Sequence, residues 1–570
     1  MELTPASILL VALPLQGFTL FPQDVPFNGN YNTHLPLTHA TTMQPLQGTP
    51  PTLTSTPVLY EDLLWRIFME NVEFPEGFNF TKDVSPLITA RRCSQVCKQW
   101  RRIFLSSPSI WGKMIDLNSL GQKTDEWRQA VLARTGEALL WVYGCMNQIN
   151  APFLLCLLQQ NWCRVQAISI WKSHYIPLLM HCQGVWDCLK RPANNLERID
   201  FTIPDSGINL PITLFGDHAP VLKVLHFYAD TYKFKTTASW IRNLSSVTFH
   251  RAFSTEEVLR ALKYMPQLVR LTVLDPRREE YHVEKIAINL PHLEMMDVRG
   301  ELAYITAILE SITPSLDCCF SAMPSYNHSG FDNAVERERY ECAITKHIQS
   351  YFSHHRPTVL HIRLLDTDGI IFEDGGPADG RRFCIPIPVC PVESSSILKT
   401  LVEIGGLSDV KELKVGLWDH FGQHESFERH IATRLSALGI FSSVTTLATS
   451  DRFLEHILED DFFVSQFLSN LMVLKIYSRP VTEQRQTLTL DPAGYHLFVR
   501  NRRTRGRPIS VLEIHFRSLY DVFYLEEHTG LIVRAFHLSQ LLEEYRCGDR
   551  QAERLCFGAM ERRRLLLLQR

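Results

Sequence analysis

The sequence predicts an α/β fold: a small three-helix module, then an irregular, right-handed solenoid in which short parallel strands alternate with helices. Two observations lead to this prediction. Five segments share the form hydrophobic-x-x-hydrophobic-x-hydrophobic, with first residues separated by 26, 22, 24 and 25 positions. Segments of helical periodicity lie between them. The five segments begin at Leu196, Leu222, Leu244, Leu268 and Leu293.

A period of this length is typical of leucine-rich repeats, in which each unit supplies one strand. Asn or Pro stands one or two places before each segment, as expected of a turn that leads into a strand. We therefore expect a leucine-rich-repeat-like domain with insertions over residues 116–532, most regular over 190–300. An irregular α/β domain with several buried parallel strands is the alternative. The turn residues are Asn195, Pro220, Asn243, Pro266 and Pro291.

The same hydrophobic form recurs less regularly outside these five segments, at spacings of 27 to 66 residues. Insertions therefore interrupt the repeat, most of all after residue 300. These additional predicted strands are Val165–Ile170, Val359–Leu364, Val410–Val415, Val444–Thr449, Leu471–Ile476 and Ile509–Ile514.

The clearest helix between strands is STEEVLRALKYMP, residues 254–266. Ser254 followed by Glu257 predicts a capping box, and Pro266 lies just beyond the expected end. Its predicted inner face consists of Val258, Leu259 and Leu262.

Composition excludes several classes of protein. Lys and Arg total 58 against 61 Asp and Glu, so no overall positive charge indicates a nucleic-acid binder. Fourteen cysteines without repeated spacing predict reduced thiols and a cytoplasmic or nuclear protein. Nucleotide-binding, hydrolase and zinc-protease motifs are absent, and the histidines are dispersed. We therefore expect no catalytic residue, cofactor or metal site.

Residues 1–56, rich in Pro, Thr, Asn, Gln and Gly, predict a flexible leader. Its short apolar run, Ile8 to Leu13, follows Glu2 with no Lys or Arg before it, so we do not expect a signal peptide. No apolar run reaches the roughly 18 residues that a membrane span needs.

The predicted helical module covers residues 57–115. Its first helix places Leu59, Leu63, Ile67 and Phe68 on one face.

A second helical segment lies within ITARRCSQVCKQWRRIF, residues 88–104. Cys93, Val96, Cys97 and Trp100 follow the i, i+3, i+4, i+7 spacing of one helix, so both sulfurs are expected to face the same apolar stripe as the tryptophan. Two cysteines without two further ligands nearby do not predict a zinc site. The five basic residues of this segment predict a solvated face, with nucleic-acid contact as the alternative.

These residues resemble the F-box found in basidiomycete fungi. The middle motif of that family is matched by Val96, Cys97, Lys98, Trp100, Arg101, Ile103 and Phe104, and the closing motif by Pro108, Ile110 and Trp111. The sequence departs from the family at Tyr60, where proline is usual, and in the long connection after the first helix.

The resemblance implies that the module docks on the Skp-type adaptor of a cullin-RING ubiquitin ligase and, through it, on the cullin. It also implies the adaptor-binding residues. The alternative is that the same residues pack the module against residues 112 onward. The implied contacts are Leu59, Leu63, Ile67, Val96, Cys97, Trp100 and Trp111.

The chain is thus expected to be a non-catalytic substrate-recognition subunit for ubiquitin-dependent degradation, whose repeat domain selects an unknown target protein. A repeat scaffold that binds protein or nucleic acid without a ligase is the alternative. Membrane and nucleic acid are not expected partners of the favoured function.

Three segments remain. Residues 366–380 predict an acidic, glycine-rich loop, and residues 500–508 a basic loop that could hold an acidic partner. Residues 533–570 predict a helical cap, with Leu538, Leu541, Leu542 and Tyr545 in one stripe. The arginines of the basic loop are Arg500, Arg502, Arg503, Arg505 and Arg507.

Overall fold

Four short helices open the described part of the chain: α1 (Glu61–Glu70), α2 (Pro86–Cys93), α3 (Lys98–Leu105) and α4 (Pro108–Gly112). The predicted leader, residues 1–56, lies outside the described residues. The computed structural model describes residues 60–72, 86–121, 125–172, 179–202, 213–228, 232–277, 286–324, 333–365, 369–375, 383–388, 396–405, 407–417, 441–458, 468–477, 494–516, 521–537 and 540–557.

Local chemistry sets the ends of α1. Glu61 and Asp62 occupy its first turn, where negative charge is favourable beside the helix dipole. At the other end, the Asn71 side-chain amide donates a hydrogen bond to the carbonyl of Ile67 at 2.7 Å. That bond satisfies one of the carbonyls that a helix end leaves open.

Strands and helices alternate through the rest of the chain. The strands are β1 (Ile115–Asp116), β2 (Leu140–Met146), β3 (Val165–Lys172), β4 (Arg198–Thr202), β5 (Val224–Tyr228), β6 (Ser246–Phe249), β7 (Arg270–Leu274), β8 (Ile288–Leu290), β9 (Met295–Gly300), β10 (Ile312–Pro314), β11 (Cys319–Pro324), β12 (Val359–Leu365), β13 (Gly369–Asp374), β14 (Cys384–Pro388), β15 (Glu412–Leu417), β16 (Thr446–Thr449), β17 (Val473–Tyr477), β18 (Val511–Phe516), β19 (Ile532–His537) and β20 (Gln540–Arg546). The helices are α5 (Asp125–Thr135), α6 (Ala151–Asn161), α7 (Leu179–Leu189), α8 (Thr255–Leu262), α9 (Leu302–Ser311), α10 (Ala334–His354), α11 (Ser396–Glu403), α12 (Asp451–Leu458) and α13 (Gly494–Thr504). Short 3-10 helices lie at Trp162–Arg164, Phe215–Asp217, Ser239–Asn243, Phe523–Glu527 and Ala552–Leu555.

Eighteen of the described strands form one sheet, and β8 with β10 forms a second, parallel pair. From β1 to β7 each strand pairs parallel with the next, and β9 and β11 continue the series. The chain then adds β14, β13 and β12 in reverse order, before β15 to β19 follow in parallel. Among the described strands of this sheet, β13 and the last strand, β20, run opposite to the others.

The α/β fold with a mostly parallel sheet is therefore confirmed. The five regularly spaced segments form β4, β5, β6, β7 and β9, which are neighbours in the sheet. The six less regular segments also form strands, namely β3, β12, β15, β16, β17 and β18. The spacing of hydrophobic residues thus located strands on both sides of the insertions.

Successive strands enter the sheet through one recurring hydrogen-bond pattern. The carbonyl of Glu197 accepts the backbone N–H groups of Lys223 and Val224, at 2.8 and 3.1 Å. The same double acceptance marks the entrance of β6, β7, β9, β15, β16, β17 and β18, so the repeated unit persists after residue 300. The further acceptors are Lys223, Ser245, Val269, Thr358, Lys411, Thr445 and Met472.

Asparagine side chains tie consecutive turns together. The side-chain amides of Asn195 and Asn243, two of the predicted turn residues, donate to the carbonyls of Cys163 and Pro220 at 2.7 and 2.9 Å. Asn470 makes the equivalent bond to Ser442 in the later part of the chain. Each bond satisfies a turn carbonyl that a packed repeat would otherwise leave open.

The predicted capping box is confirmed at the start of α8. The Ser254 hydroxyl accepts the N–H of Glu257 at 3.3 Å, and the Glu257 carboxylate accepts the N–H of Ser254 at 3.0 Å. The predicted inner face is fully buried, because Val258, Leu259 and Leu262 have at most 1% exposure.

The prediction of a helical cap from residue 533 is wrong for the described residues. Strands β19 and β20 form an antiparallel pair that ends the sheet, and β18 pairs with β19 along its length. Backbone hydrogen bonds to an open sheet edge override a weak helical stripe here. Of that stripe, Tyr545 is buried, Leu541 and Leu542 are exposed, and Leu538 lies outside the described residues.

The predicted acidic loop is also partly wrong. Its central residues form β13, where Ile370, Ile371 and Phe372 are buried. Three consecutive bulky apolar residues favour a strand buried on both faces, and the acidic residues around them concealed that signal. No helix among the described residues is long and apolar enough to cross a membrane.

Candidate functional site

Helices α1 to α4 share a small aromatic core. The ring of Phe68 meets Trp100 edge to face at 5.0 Å and lies 4.3 Å from Phe104. Leu64 and Leu87 are buried with them. Aromatic packing of this kind stabilises a short-helix unit well beyond the helix propensity of its parts.

The continuous helix predicted across residues 93–100 is wrong, because a turn separates α2 from α3. Cys97 has extended backbone angles and caps α3, its sulfur accepting the N–H of Trp100 at 3.5 Å. The Ser94 hydroxyl donates to the carbonyl of Arg91 at the end of α2. Small polar side chains that bond their own backbone end helices. Val96 therefore points outward and is 64% exposed.

Exposed apolar side chains concentrate on these helices. Of seventeen large exposed hydrophobic residues in the described chain, six fall between residues 60 and 105. A unit this small cannot cover its own apolar surface, and such surface is typical of protein interaction sites. The six residues are Tyr60, Leu63, Trp65, Ile88, Val96 and Leu105, and we call them the exposed apolar surface.

The adaptor-binding residues implied by the resemblance divide into two groups. Leu63, Val96 and Cys97 are exposed, and Ile67 is half-buried. Trp100 is half-buried against Phe68, which places most of its ring in the core. Leu59 lies outside the described residues.

Trp111 requires a correction, because its side chain is only 4% exposed. Its indole N–H donates to the carbonyl of Phe104 at 2.6 Å, and the Arg134 guanidinium lies 4.7 Å from its ring. A Cβ on the neighbouring Gly112 would lie 2.3 Å from the carbonyl oxygen of Leu139. The α4 end of the module is therefore packed against the residues that follow it, in agreement with the alternative prediction for Trp111. The exposed apolar surface is not packed in this way.

The basic loop also requires a correction. Most of it belongs to α13, and Arg502 is buried, with its guanidinium donating to the carbonyls of Leu468 and Leu471 at 3.0 and 3.3 Å. Burial lowers the pKa of Arg502 to about 10, and nearby Arg507 acts in the same direction. Arg502 is thus a packing residue, and the exposed arginines are Arg500, Arg503, Arg505 and Arg507.

One face of the large sheet presents a polar row that the sequence analysis did not recognise. One residue from each of the eighteen described strands of the sheet is paired with a residue on the neighbouring strand, and together they form a continuous row. Sixteen of these eighteen residues are polar, and the other two are a cysteine and an alanine. We call this set the polar row. Its members, in sheet order, are Asp116, Tyr143, Ser169, Asp200, His226, Thr248, Thr272, Asp297, Ser321, Cys384, Glu373, His361, Lys414, Ala448, Lys475, Glu513, Arg534 and Glu544.

Ion pairs link neighbouring strands at the C-terminal end of the polar row. At the C-terminal end, Lys475 pairs with Glu412 at 3.2 Å, and Arg534 pairs with Glu513 at 3.2 Å and Glu544 at 2.7 Å. Charges there neutralise one another. Aromatic rings flank them on the same face, where His515 stacks between Tyr477 and Phe536 at 4.6 and 4.7 Å.

At the regular end, the buried polar atoms without a hydrogen-bond partner among the described residues include Oδ1 of Asp200 and Nε2 of His250. Tyr228, at the end of β5, meets the ring of His250, which directly follows β6, edge to face at 5.0 Å. Burial lowers the pKa of His250 to about 4, assisted by Arg251, so the ring is neutral at pH 7. Unpaired buried polar atoms are costly and often mark places that a ligand satisfies.

A third constellation joins residues far apart in sequence. His496, near the start of α13, lies against Glu527 and His528. In the sequence, the two histidines belong to a dispersed set without a recognisable motif. The Glu-His pair was visible in the sequence, but no spacing rule connects it to a histidine 31 positions earlier.

The sequence matches no protein-family model and no curated protein. The function of the chain is therefore argued from the exposed apolar surface, the polar row and the chemistry of the buried groups beside them.

Proposed function

We propose that this chain is the substrate-recognition subunit of a Skp-cullin-F-box ubiquitin ligase. In this proposal the helices α1 to α3 bind the Skp-type adaptor, and through it the cullin, while the sheet face binds a target protein. The chain itself supplies no catalytic group, because ubiquitin transfer is accelerated by holding a target near the charged conjugating enzyme.

The observation that carries the proposal is the exposed apolar surface. Leu63 and Val96 project from a unit whose own core is already filled by Phe68, Trp100 and Phe104. Apolar side chains left in water on a folded unit gain free energy when a partner covers them. The resemblance of residues 96–111 to an F-box supplies the identity of that partner.

The test is capture of a purified Skp-type adaptor by the full chain. We expect the Leu63→Asp, Val96→Asp double variant to bind at least roughly tenfold more weakly, because a charge in an apolar interface costs well over 1.4 kcal/mol. Both positions are exposed, so the variant should fold. Trp100→Asp is a poor choice, because it would disrupt the core around Phe68.

The matched control is Val335→Asp, which changes an exposed valine in the first turn of α10. It should bind the adaptor as the unaltered chain does. Failure of the unaltered chain to bind any Skp-type adaptor would refute the proposal. Equal loss in the control and the double variant would show that the contact is not specific to the module.

The polar row is the proposed target-binding surface. A photo-crosslinking residue in place of Tyr228, on the sheet face, should label proteins that accumulate when the proteasome is inhibited. The same residue in place of Tyr264, which is exposed just beyond α8, should not label them. If both positions label the same proteins, the sheet face is not the recognition surface.

The alternative, a scaffold that binds nucleic acid without a ligase, is supported by the exposed arginines on and after α13. It predicts a salt-sensitive shift of nucleic acid that Arg500→Gln with Arg503→Gln abolishes.

A further inference from the structure

Three side chains with metal-binding atoms converge where α13 meets the 3-10 helix Phe523–Glu527. Nδ1 of His496 lies 3.3 Å from Nε2 of His528. Oε1 of Glu527 lies 3.4 Å from Nε2 of His496 and 3.6 Å from Nε2 of His528. One ligand atom from each residue can be chosen so that all three lie within 4.8 Å of one another.

We propose that His496, Glu527 and His528 form a binding site for a divalent transition-metal ion of the zinc class. Two imidazoles and one carboxylate are a ligand set that such ions favour, whereas calcium and magnesium require mostly oxygen ligands. With bonds of about 2.0–2.1 Å, ligand atoms around tetrahedral zinc are separated by about 3.3 Å. With Nε2 of His496 as the ligand atom, its distance to Oε1 of Glu527 is 3.4 Å and that from Oε1 to Nε2 of His528 is 3.6 Å, both close to that value. All three ligand atoms lie within 4.8 Å of one another, so binding requires the two rings to move toward a common centre.

The backbone holds the first histidine in place. The Asp451 carboxylate accepts the N–H of Tyr495 at 2.7 Å, which fixes the first turn of α13 against α12. A Cβ at Gly494 would lie 2.8 Å from the carbonyl oxygen of Asp451, so only glycine permits this approach. His496 follows these two residues directly, and its position is therefore set by the helix junction.

The second histidine is held equally firmly. His528 ends the 3-10 helix, donating its N–H to Leu525 at 3.0 Å, and its carbonyl accepts the N–H of Leu531 at 3.0 Å. Both histidines are buried, while the Glu527 side chain is about half exposed. The carboxylate thus leaves an open side through which the ion can enter and a water molecule can complete its coordination.

A packing cluster joined by one hydrogen bond of 3.3 Å between the two rings is the competing explanation. Metal titration distinguishes the two, because a packing cluster binds no ion. Arg500 and Arg503 lie nearby and disfavour a cation, but both are exposed and therefore screened by solvent.

The test is a titration with Co²⁺ of the full chain, after a chelator has removed any bound metal. The visible absorption of Co²⁺ reports the coordination geometry of the bound ion. We expect one equivalent to give a saturating spectrum that Zn²⁺ then displaces. His528→Gln should abolish it, and Glu527→Gln should weaken Co²⁺ binding roughly tenfold or more. His354→Gln, which alters an exposed histidine at the end of α10, should leave it unchanged.

Circular dichroism melts of each variant separate lost binding from lost folding. Glu527→Gln preserves size at a half-exposed position, so it decides the matter if His528→Gln does not fold. The proposal is overturned if Co²⁺ gives no one-to-one spectrum, or if the affinity of Glu527→Gln equals that of the unaltered chain. Since the cysteines could also bind Co²⁺, a spectrum retained in every histidine and glutamate variant counts against the site.

Discussion

Two substitutions in α1 test whether the exposed apolar surface is truly left uncovered by the chain itself. Phe68 is 1% exposed and contacts two aromatic rings, so Phe68→Ala should lower the local free energy of unfolding by about 4 kcal/mol. Leu63 is 46% exposed. Truncating it removes three carbon groups worth about 0.8 kcal/mol each when buried, and about half of that is realised, giving roughly 1 kcal/mol.

Amide hydrogen exchange over α1 and α3 measures the difference. Since 1.4 kcal/mol is a factor of ten, Leu63→Ala should reduce protection roughly fivefold, and Phe68→Ala roughly a thousandfold or to complete loss. Helix propensity contributes less than about 0.7 kcal/mol to either change, which is small beside the expected difference. Equal losses of protection would mean that Leu63 is covered by this chain, and the adaptor-docking proposal would then lose its basis.

Three further predictions concern the repeat domain. Ser254→Ala should lower the free energy of unfolding by about 1 kcal/mol through loss of the capping box, and Ser254→Asp should largely restore it in thermal melts. Arg502→Ala should lower the free energy of unfolding, measured by urea melts, by about 2 kcal/mol, because two carbonyls lose a charged donor. Arg500→Ala should lower it by less than about 0.5 kcal/mol. Equal losses would mean that Arg502 is an exposed residue rather than a packing residue. The pKa of His250 is about 4 in the folded state, so the unfolded state binds a proton there more readily. The contribution of His250 to the free energy of unfolding is therefore fully present above pH 6.5 and is lost, by about 3 kcal/mol, as the pH falls to 4. His250→Phe should reduce the loss of stability between pH 6.5 and pH 4, measured by urea melts, by about 3 kcal/mol. An unchanged pH slope would contradict the assignment.

Strands were predictable from the sequence because their constraint is local and repeated. Each unit must bury the hydrophobic positions of one short segment, and residues such as Ile199, Leu225 and Val247 share one register row and are fully buried. The Ser254 capping box was predictable for the same reason, since its two partners lie three residues apart.

The sequence predictions were wrong where contacts between distant parts of the chain determine the position of a residue. Cys97 fits a helical stripe by spacing, yet it caps a new helix. Arg502 resembles its exposed neighbours until carbonyls 31 and 34 residues earlier are seen to accept its hydrogen bonds. His496 and His528 are brought together only by the packing of α13 on a 3-10 helix, which no local pattern encodes.

The polar row shows that strand register is kept where the spacing between repeat segments becomes irregular. Segment spacing varies from 22 to 66 residues, yet register is kept, because before eight of the described strands one carbonyl, such as that of Glu197 or Thr445, receives two N–H groups from the next unit. Insertions therefore lengthen the connections without displacing the row. In the proposed function, a target protein would gain free energy at the regular end of the row by satisfying the buried Oδ1 of Asp200, which has no described hydrogen-bond partner.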